Sequence, residues 1–275
     1  MPKRLIEVAM KKVILFVSIF VLLLCSACTP SAAPESSPIT LNILAAASLT
    51  EAFQEIAPAF EAAHEGVTLQ FNFAGSQQLA QQLANGAPAD VFASANQKQM
   101  DVAVEAGRIA TDAPANFAQN RLVVVLPADN PAGISSLADL TQPGLKIVLA
   151  AKEVPVGQYA LDFLAKADAG ASLGSGYSTL VLANVVSYEE NVKAVLTKVS
   201  LGEADAGIVY TSDAASATDE ILQIEIPDGL NVIAQYPIAV VENSAHSDMA
   251  RAFVEWVQSA EGQKVLEKYG FLPVK

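Results

Sequence analysis

From Ile39 onward the chain alternates short apolar, β-branched runs with amphipathic stretches of helical period, and this alternation restricts it to few folds. Leu41–Ala47 reads as a strand. Leu49–His64 reads as a helix with Leu49, Phe53, Ile56, Ala57 and Phe60 on one face. Val67–Ala74 is a strand, Gln77–Asn85 a short helix closed by Gly86, Ala89–Ser94 a strand, and Gln97–Ala106 a helix closed by Gly107. A βαβαβα run of this kind needs crossover connections, hence a parallel sheet with helices on both faces. Arg121–Leu126 is a further strand and Ile134–Leu140 a short helix. A second series then opens with strand Leu145–Ala150, helix Val156–Ala167, strand Val185–Ser187, helix Glu189–Leu201 and strand Ala206–Tyr210. Strands Ile221–Ile226 and Val232–Val241 follow, then a long helix, His246–Tyr269, with a break near Gly262. The two series start alike, Leu41-x-Ile43-x-x-Ala46-Ala47 and Leu145-x-Ile147-x-x-Ala150-Ala151, which fits two similar α/β lobes. The crevice outside the carboxyl ends of their parallel strands is the expected ligand position.

Residues 1–28 read as a signal peptide. Lys3, Arg4, Lys11 and Lys12 precede the apolar run Val13–Leu24, which is too short for a typical membrane span. The segment ends Leu24-Cys25-Ser26-Ala27-Cys28, small residues before a cysteine in the manner of a bacterial lipobox, with Cys25 where leucine is usual. Cys28 is then the lipidated residue, and a plain cleaved signal is the alternative. Residues 29–38 (TPSAAPESSP for Thr29–Pro38) have the composition of a flexible tether. No cysteine follows Cys28, so the mature part has neither a disulfide nor a thiolate metal site. Its only histidines, His64 and His246, do not form a ligand cluster, so no cofactor and no free metal cation are expected. The formal net charge is −13; because residues 1–28 carry four Lys/Arg and one Glu, the rest of the chain carries −16. So acidic a chain is a poor nucleic-acid binder.

Ser48, in ILAAASLT (Ile43–Thr50), and Ser76, in FAGSQ (Phe73–Gln77), each stand where a strand ends and a helix starts. Taken alone, either hydroxyl fits a helix N-cap. Taken together, they mark the carboxyl ends of two successive parallel strands on one rim. A helix N-terminus carries free N–H groups and roughly half a positive charge, so two of them converging make an anion site without any lysine. Val154-Pro155-Val156-Gly157 opens another helix after a strand, with Pro155 at a position that needs no N–H and Gly157 allowing close approach to the backbone. Glu189-Glu190-Asn191-Val192 opens a further helix, and Tyr210 ends a strand, either as core or as a phenol donor into the crevice. Gly170-Ala171-Ser172-Leu173-Gly174 matches the G-x-S-x-G nucleophile pattern, but it follows a charged helix end rather than a strand. A serine hydrolase acting through Ser172 or Ser48 is the enzymatic alternative.

The stretches AAASLTEAF (45–53), FNFAGSQQLAQQLANGAPADVFASANQKQMD (71–101), NRLVVVLP (120–127), VPVGQYA (154–160), EENVKAVLTKVSLGEADAGIVYTSDA (189–214), YPIAVV (236–241) and KYGF (268–271) lie in order over nearly the whole mature chain. They make it resemble the periplasmic molybdate-binding proteins of ABC importers. The resemblance implies a two-lobed periplasmic-binding-protein-like α/β fold of type II, with two crossovers and a mainly parallel, helix-flanked sheet in each lobe. It divides the chain into lobe 1, residues 39–121 plus 237–275, and lobe 2, residues 122–236. Carried over by position, Ser48 and Ser76 supply hydroxyl and amide donors, Val156 and Val192 supply backbone N–H, and Tyr210 supplies its phenol. Val156 stands where alanine is usual, which makes the pocket wall bulkier. The implied ligand is molybdate or tungstate, with sulfate as the alternative oxyanion. The implied partners are the transmembrane subunits of a permease and, through a lipid anchor, the membrane; the protein is expected to be an extracytoplasmic monomer and not an enzyme. A site of donors alone disfavours a protonated oxyanion such as hydrogen phosphate, whose O–H finds no acceptor there.

Overall fold

Two five-stranded sheets with one shared strand order make up the fold, in a computed structural model that describes residues 38–170 and 173–274. The signal segment, Cys28, tether residues 29–37 and Ser172 lie outside the described residues. The first sheet takes β1 (Ile39–Ala46), β2 (Val67–Ala74), β3 (Val91–Ala93), β4 (Ala115–Asn120) and the late strand β10 (Ala234–Val240), in the order β2-β1-β3-β10-β4. The second takes β5 (Leu122–Pro127), β6 (Ile147–Ala150), β7 (Val185–Glu189), β8 (Ala206–Tyr210) and β9 (Ile221–Glu225), in the order β7-β6-β8-β5-β9. In the first sheet β1 pairs parallel with β2 and β3, and β10 runs antiparallel to β3 and β4. In the second β6 pairs parallel with β7 and β8, and β5 runs antiparallel to β8 and β9. The antiparallel strand of each sheet is the segment that has just crossed from the other: β5 follows β4, and β10 follows β9. This two-lobed α/β architecture, with two crossovers, is the one the sequence implied.

Burial explains the strand patterns. The central strand β1 is covered on both faces and reads as a nearly continuous apolar run, whereas the edge strand β2 alternates buried with exposed residues. One face of the first sheet packs against α1 (Thr50–Ala63) and, at the other end of the chain, α8 (Ser247–Gln258) and α9 (Ala260–Lys268). There Phe53, Phe60 and Phe253 meet edge to face at 5.7 Å and 5.3 Å between centroids, and truncating any one to alanine costs about 3–5 kcal/mol. The opposite face carries Leu44 and Phe92 against Leu79 and Leu83 of α2 (Ser76–Ala84) and Met100 of α3 (Gln97–Glu105). The second sheet is flanked by α4 (Pro155–Gly170), α5 (Tyr177–Ala183), α6 (Val192–Ser200) and the short α7 (Thr211–Ala215). A Cβ at Gly207 in β8 would stand 2.9 Å from Val195 and from Val199, so this glycine lets α6 close onto the sheet.

Several elements differ from the sequence reading. β4 (ANFAQN) was not anticipated, because its polar residues hide the period; α5 and α7 were not anticipated because they are short. The helix expected from Leu49 begins with a single 3-10 turn, Ala47–Leu49. The short helix expected over Ile134–Leu140 is a 3-10 turn that starts three residues later, Leu137–Thr141. Glu189 ends β7 instead of opening a helix, since the Asn191 side chain caps α6 by accepting from Ala194 N–H at 2.9 Å. The C-terminal helix breaks at Ser259, not Gly262: the Ser259 hydroxyl accepts from Gly262 N–H at 3.3 Å and starts α9. Among the described residues no helix is long and apolar enough to cross a membrane.

Candidate ligand-binding site

The carboxyl ends of the parallel strands of both sheets meet at one small cavity. Its lining comprises Ala46–Ser48 after β1, Ala74–Ser76 after β2, Ala95 after β3, Val154–Val156 at the start of α4, Asn191 and Val192 at the start of α6, and Tyr210 at the end of β8. All five residues singled out from the sequence, Ser48, Ser76, Val156, Val192 and Tyr210, therefore stand around one space. No charged side chain lines it. The space is small, well below the clefts that hold drug-sized molecules, and so suits a small ion.

Neither serine is a helix cap, which corrects the simpler reading of each. Ser48 lies inside the 3-10 turn and makes no capping bond; its Oγ is 2.9 Å from the hydroxyl of Tyr236 on β10. Gly75 occupies the cap position of α2, and Ser76 is the first helical residue, its Oγ accepting from Ala95 N–H at 3.0 Å. Because a backbone N–H only donates, the Ser76 proton is left to point elsewhere. Val156 and Val192 occupy the first turns of α4 and α6, where amides have no intrahelical acceptor. The Tyr210 hydroxyl is buried, 1 % exposed at its residue, and has no hydrogen-bond partner among the described residues. A buried donor without an acceptor is costly unless something else supplies one. Burial pushes the Tyr210 phenol well above its ordinary pKa, with the nearby Tyr236, Tyr159 and Asp213 adding to the shift, so it remains a neutral donor.

The two lobes touch around the cavity. Gln77 Nε2 donates to the Glu190 carbonyl at 2.9 Å, Gln78 Nε2 to the Glu190 carboxylate at 3.0 Å, and Gln99 Nε2 to the Glu153 carbonyl at 3.1 Å. Lys193, next to Val192, reaches both carboxylate oxygens of Glu51 at 2.8 Å and lies 3.2 Å from Asp213 Oδ1. Burial pulls the Lys193 ammonium down, but Asp213 and Glu51 outweigh it and hold its pKa above the ordinary value. Burial pushes the Asp213 carboxyl up to about 6 against the pull of Lys193.

Tyr236 and Asn120 were not singled out as site residues. Asn120 ends β4, fully buried, and its Nδ2 donates to Ser212 Oγ at 2.8 Å and faces the Tyr236 hydroxyl at 3.5 Å. The one sequence signal available was the polar pair Asn120-Arg121 standing directly before the apolar run Leu122–Leu126. The nucleophile pattern around Ser172 lacks its context, because Gly170 ends helix α4 where the motif requires a strand. Among the described residues no group of three His, Cys, Asp or Glu side chains could hold a metal ion.

A two-lobed α/β fold with a small uncharged cavity between its sheets, ringed by hydrogen-bond donors, is the architecture of a solute-binding protein. Residues 41–272 match the family of bacterial extracellular solute-binding proteins, and the chain belongs to it. It is 41% identical over 240 residues to the molybdate-binding protein ModA of Mycobacterium tuberculosis, covering 87% of each chain. It is 33% identical to a putative ABC transporter substrate-binding lipoprotein, YvgL, of Bacillus subtilis, over 88% of this chain and 89% of that one. Among solved structures it is similar to the substrate-binding domain of a putative molybdenum ABC transporter from Clostridium difficile, at 34% identity and a TM-score of 0.65, over 86% of this chain and all of that one.

Proposed function

We propose that the chain captures molybdate, or the similarly sized tungstate, between its lobes through neutral hydrogen-bond donors and delivers it to the transmembrane subunits of an ABC importer. The observation that carries this reading is the uncharged cavity ringed by Ser48, Ser76, Val156, Val192 and Tyr210, with a buried phenol that has no hydrogen-bond partner among the described residues. The lobes in this reading are residues 39–121 plus 234–275 and residues 122–233, the sequence-based boundary between 236 and 237 being moved so that β10 stays whole with the first sheet. Lipidation of Cys28 would tether the protein, as a monomer, to the outer face of the membrane. The likeness to a molybdate-binding ModA and to the substrate-binding domain of a putative molybdenum ABC transporter supports the ligand class and the transporter.

The net charge of −13 does not oppose this function. Surface carboxylates are screened beyond about 8 Å in physiological salt, whereas donors at contact distance act in a lower dielectric. Each hydrogen bond from a neutral donor to a charged acceptor contributes about 1.5–3 kcal/mol, and the α4 and α6 N-termini add their positive ends. Two donors come from the first lobe and three from the second, so the anion stabilises the closed arrangement and shifts the open–closed equilibrium that the permease reads.

Calorimetric titration of the tether-free chain with molybdate, tungstate, sulfate and phosphate tests the reading. Tight binding of the first two with weak sulfate and weaker phosphate is expected. Sulfate binding as tight as molybdate binding would reassign the substrate, and phosphate binding as tight as molybdate binding would refute the all-donor site.

A further inference from the structure

The Ser48 hydroxyl can serve an anion only if its single proton faces the cavity, and the residues behind it decide that. Its Oγ lies 2.9 Å from the Tyr236 hydroxyl, a contact in which either oxygen can be the donor. Asn120 removes the choice. Its Oδ1 accepts from Arg121 N–H at 2.9 Å and from Thr211 Oγ1 at 2.9 Å. A backbone N–H cannot accept, so the amide has one orientation, and its Nδ2 is turned towards Ser212 Oγ and Tyr236 Oη, 2.8 Å and 3.5 Å away. The Tyr236 oxygen therefore faces an N–H and directs its own proton to Ser48. Ser48 Oγ then accepts from Tyr236, so its own proton is not spent on that contact and is free for the cavity, with one of its two lone pairs already taken. Ser76 reaches the same state by accepting from Ala95 N–H. The chain Asn120, Tyr236, Ser48 runs from the crossover after β4 to the cavity wall and is buried throughout.

We propose that Asn120 and Tyr236 are positioning residues that lock the Ser48 hydroxyl as a donor and thereby select a fully deprotonated tetrahedral oxyanion over a protonated one. This rests on the oxyanion-binding reading above. With the lock in place, Ser48 turns its proton to the ligand, so a ligand O–H at that position faces a donor. Without it, Ser48 can turn, accept from that O–H and tolerate the protonated anion.

The test compares the wild type, Tyr236→Phe, Ser48→Ala and the double variant. Molybdate, sulfate and inorganic phosphate are titrated at pH 7, weak binders by displacement of molybdate, and thermal unfolding checks each fold. Sulfate serves as a fully ionised anion of phosphate's size. In Tyr236→Phe the advantage of sulfate over phosphate should shrink about tenfold, and molybdate affinity should fall by about the same factor. In the Ser48→Ala background, Tyr236→Phe should change neither. Asn120→Asp replaces the donor by an acceptor, so Tyr236 turns its proton to the new carboxylate and takes the Ser48 proton; molybdate affinity should fall further than in Tyr236→Phe. An unchanged sulfate-to-phosphate ratio in Tyr236→Phe, or additive effects in the double variant, would reduce Tyr236 to packing and overturn the proposal. A wild type that binds none of the three anions would overturn the function itself, a result distinct from wild-type binding with no change in ratio.

Discussion

The two lobes have the same strand order and the same single antiparallel strand, yet they bring different chemistry to the cavity between them. The first sheet brings serine hydroxyls at the ends of β1 and β2. The second brings bare backbone amides at the starts of α4 and α6, and one phenol. An amide donor has a fixed direction and needs only a helix start. A hydroxyl donor needs a partner to fix its proton, and the first lobe supplies Ala95 N–H for Ser76 and Tyr236 for Ser48. Similar scaffolds thus line the cavity with donors of different kinds, and the hydroxyl side carries the extra polar network. The glycines beside the cavity differ in the same sense. A Cβ at Gly157 would collide with the carbonyls of Ala150 and Ala151 in its own lobe. A Cβ at Gly75 would stand 2.5 Å from the Glu190 carbonyl across the cleft, its other close contact being the end of the flexible Gln77 side chain, which can move aside.

That contrast yields the largest expected effect. Gly157→Ala should push α4 away from β6, lower stability by about 1–3 kcal/mol or more in urea unfolding, and displace Val156 N–H so that anion binding is lost. Gly75→Ala should leave the unfolding midpoint nearly unchanged yet reduce anion affinity more than tenfold, because the added methyl blocks closure and not folding. Equal losses of stability in the two variants would break the comparison. Tyr210→Phe comes next. Its hydroxyl has no hydrogen-bond partner among the described residues, so removing it should leave thermal stability unchanged or slightly raised, while molybdate affinity drops about tenfold. Unchanged affinity would remove the second lobe's phenol from the site.

The smallest effect concerns the buried carboxyl behind the site. Asp213 has its pKa raised from 3.8 to about 6 by burial. A carboxyl raised in the folded state adds stability below its unfolded pKa, and that contribution disappears as pH rises through the folded value. Asp213→Asn should therefore gain in thermal midpoint relative to the wild type as pH rises from about 4 to about 6, and the difference should be flat above that. A pH-independent difference would mean that Lys193 keeps Asp213 ionised throughout.

The alternation of strands and helices was legible because β1, β2 and β8 are apolar for reasons of burial, and the serines and helix starts fell at strand ends that one sequence can mark. β4 was not legible: Asn116, Gln119 and Asn120 interrupt its pattern, although the strand is held by β10, a partner more than a hundred residues away in the chain. The strand β10 itself was legible, but not that Tyr236 within it would meet Ser48 across 188 residues of sequence. The direction of a hydroxyl proton depends on such contacts, so composition and spacing could identify Ser48 as a candidate without saying whether it donates or accepts. The simple cap reading of the two serines failed for the same reason, since their partners are strands and not their own helices.

The most direct measurement is a crystal structure of the tether-free chain grown with molybdate, the metal located by its anomalous scattering. The account expects one tetrahedral anion with its oxygens about 2.7–3.2 Å from Ser48 Oγ, Ser76 Oγ, the Val156 and Val192 nitrogens and Tyr210 Oη. An anion bound elsewhere, or held by the hydroxyls of the first lobe without the amides of the second, would contradict it.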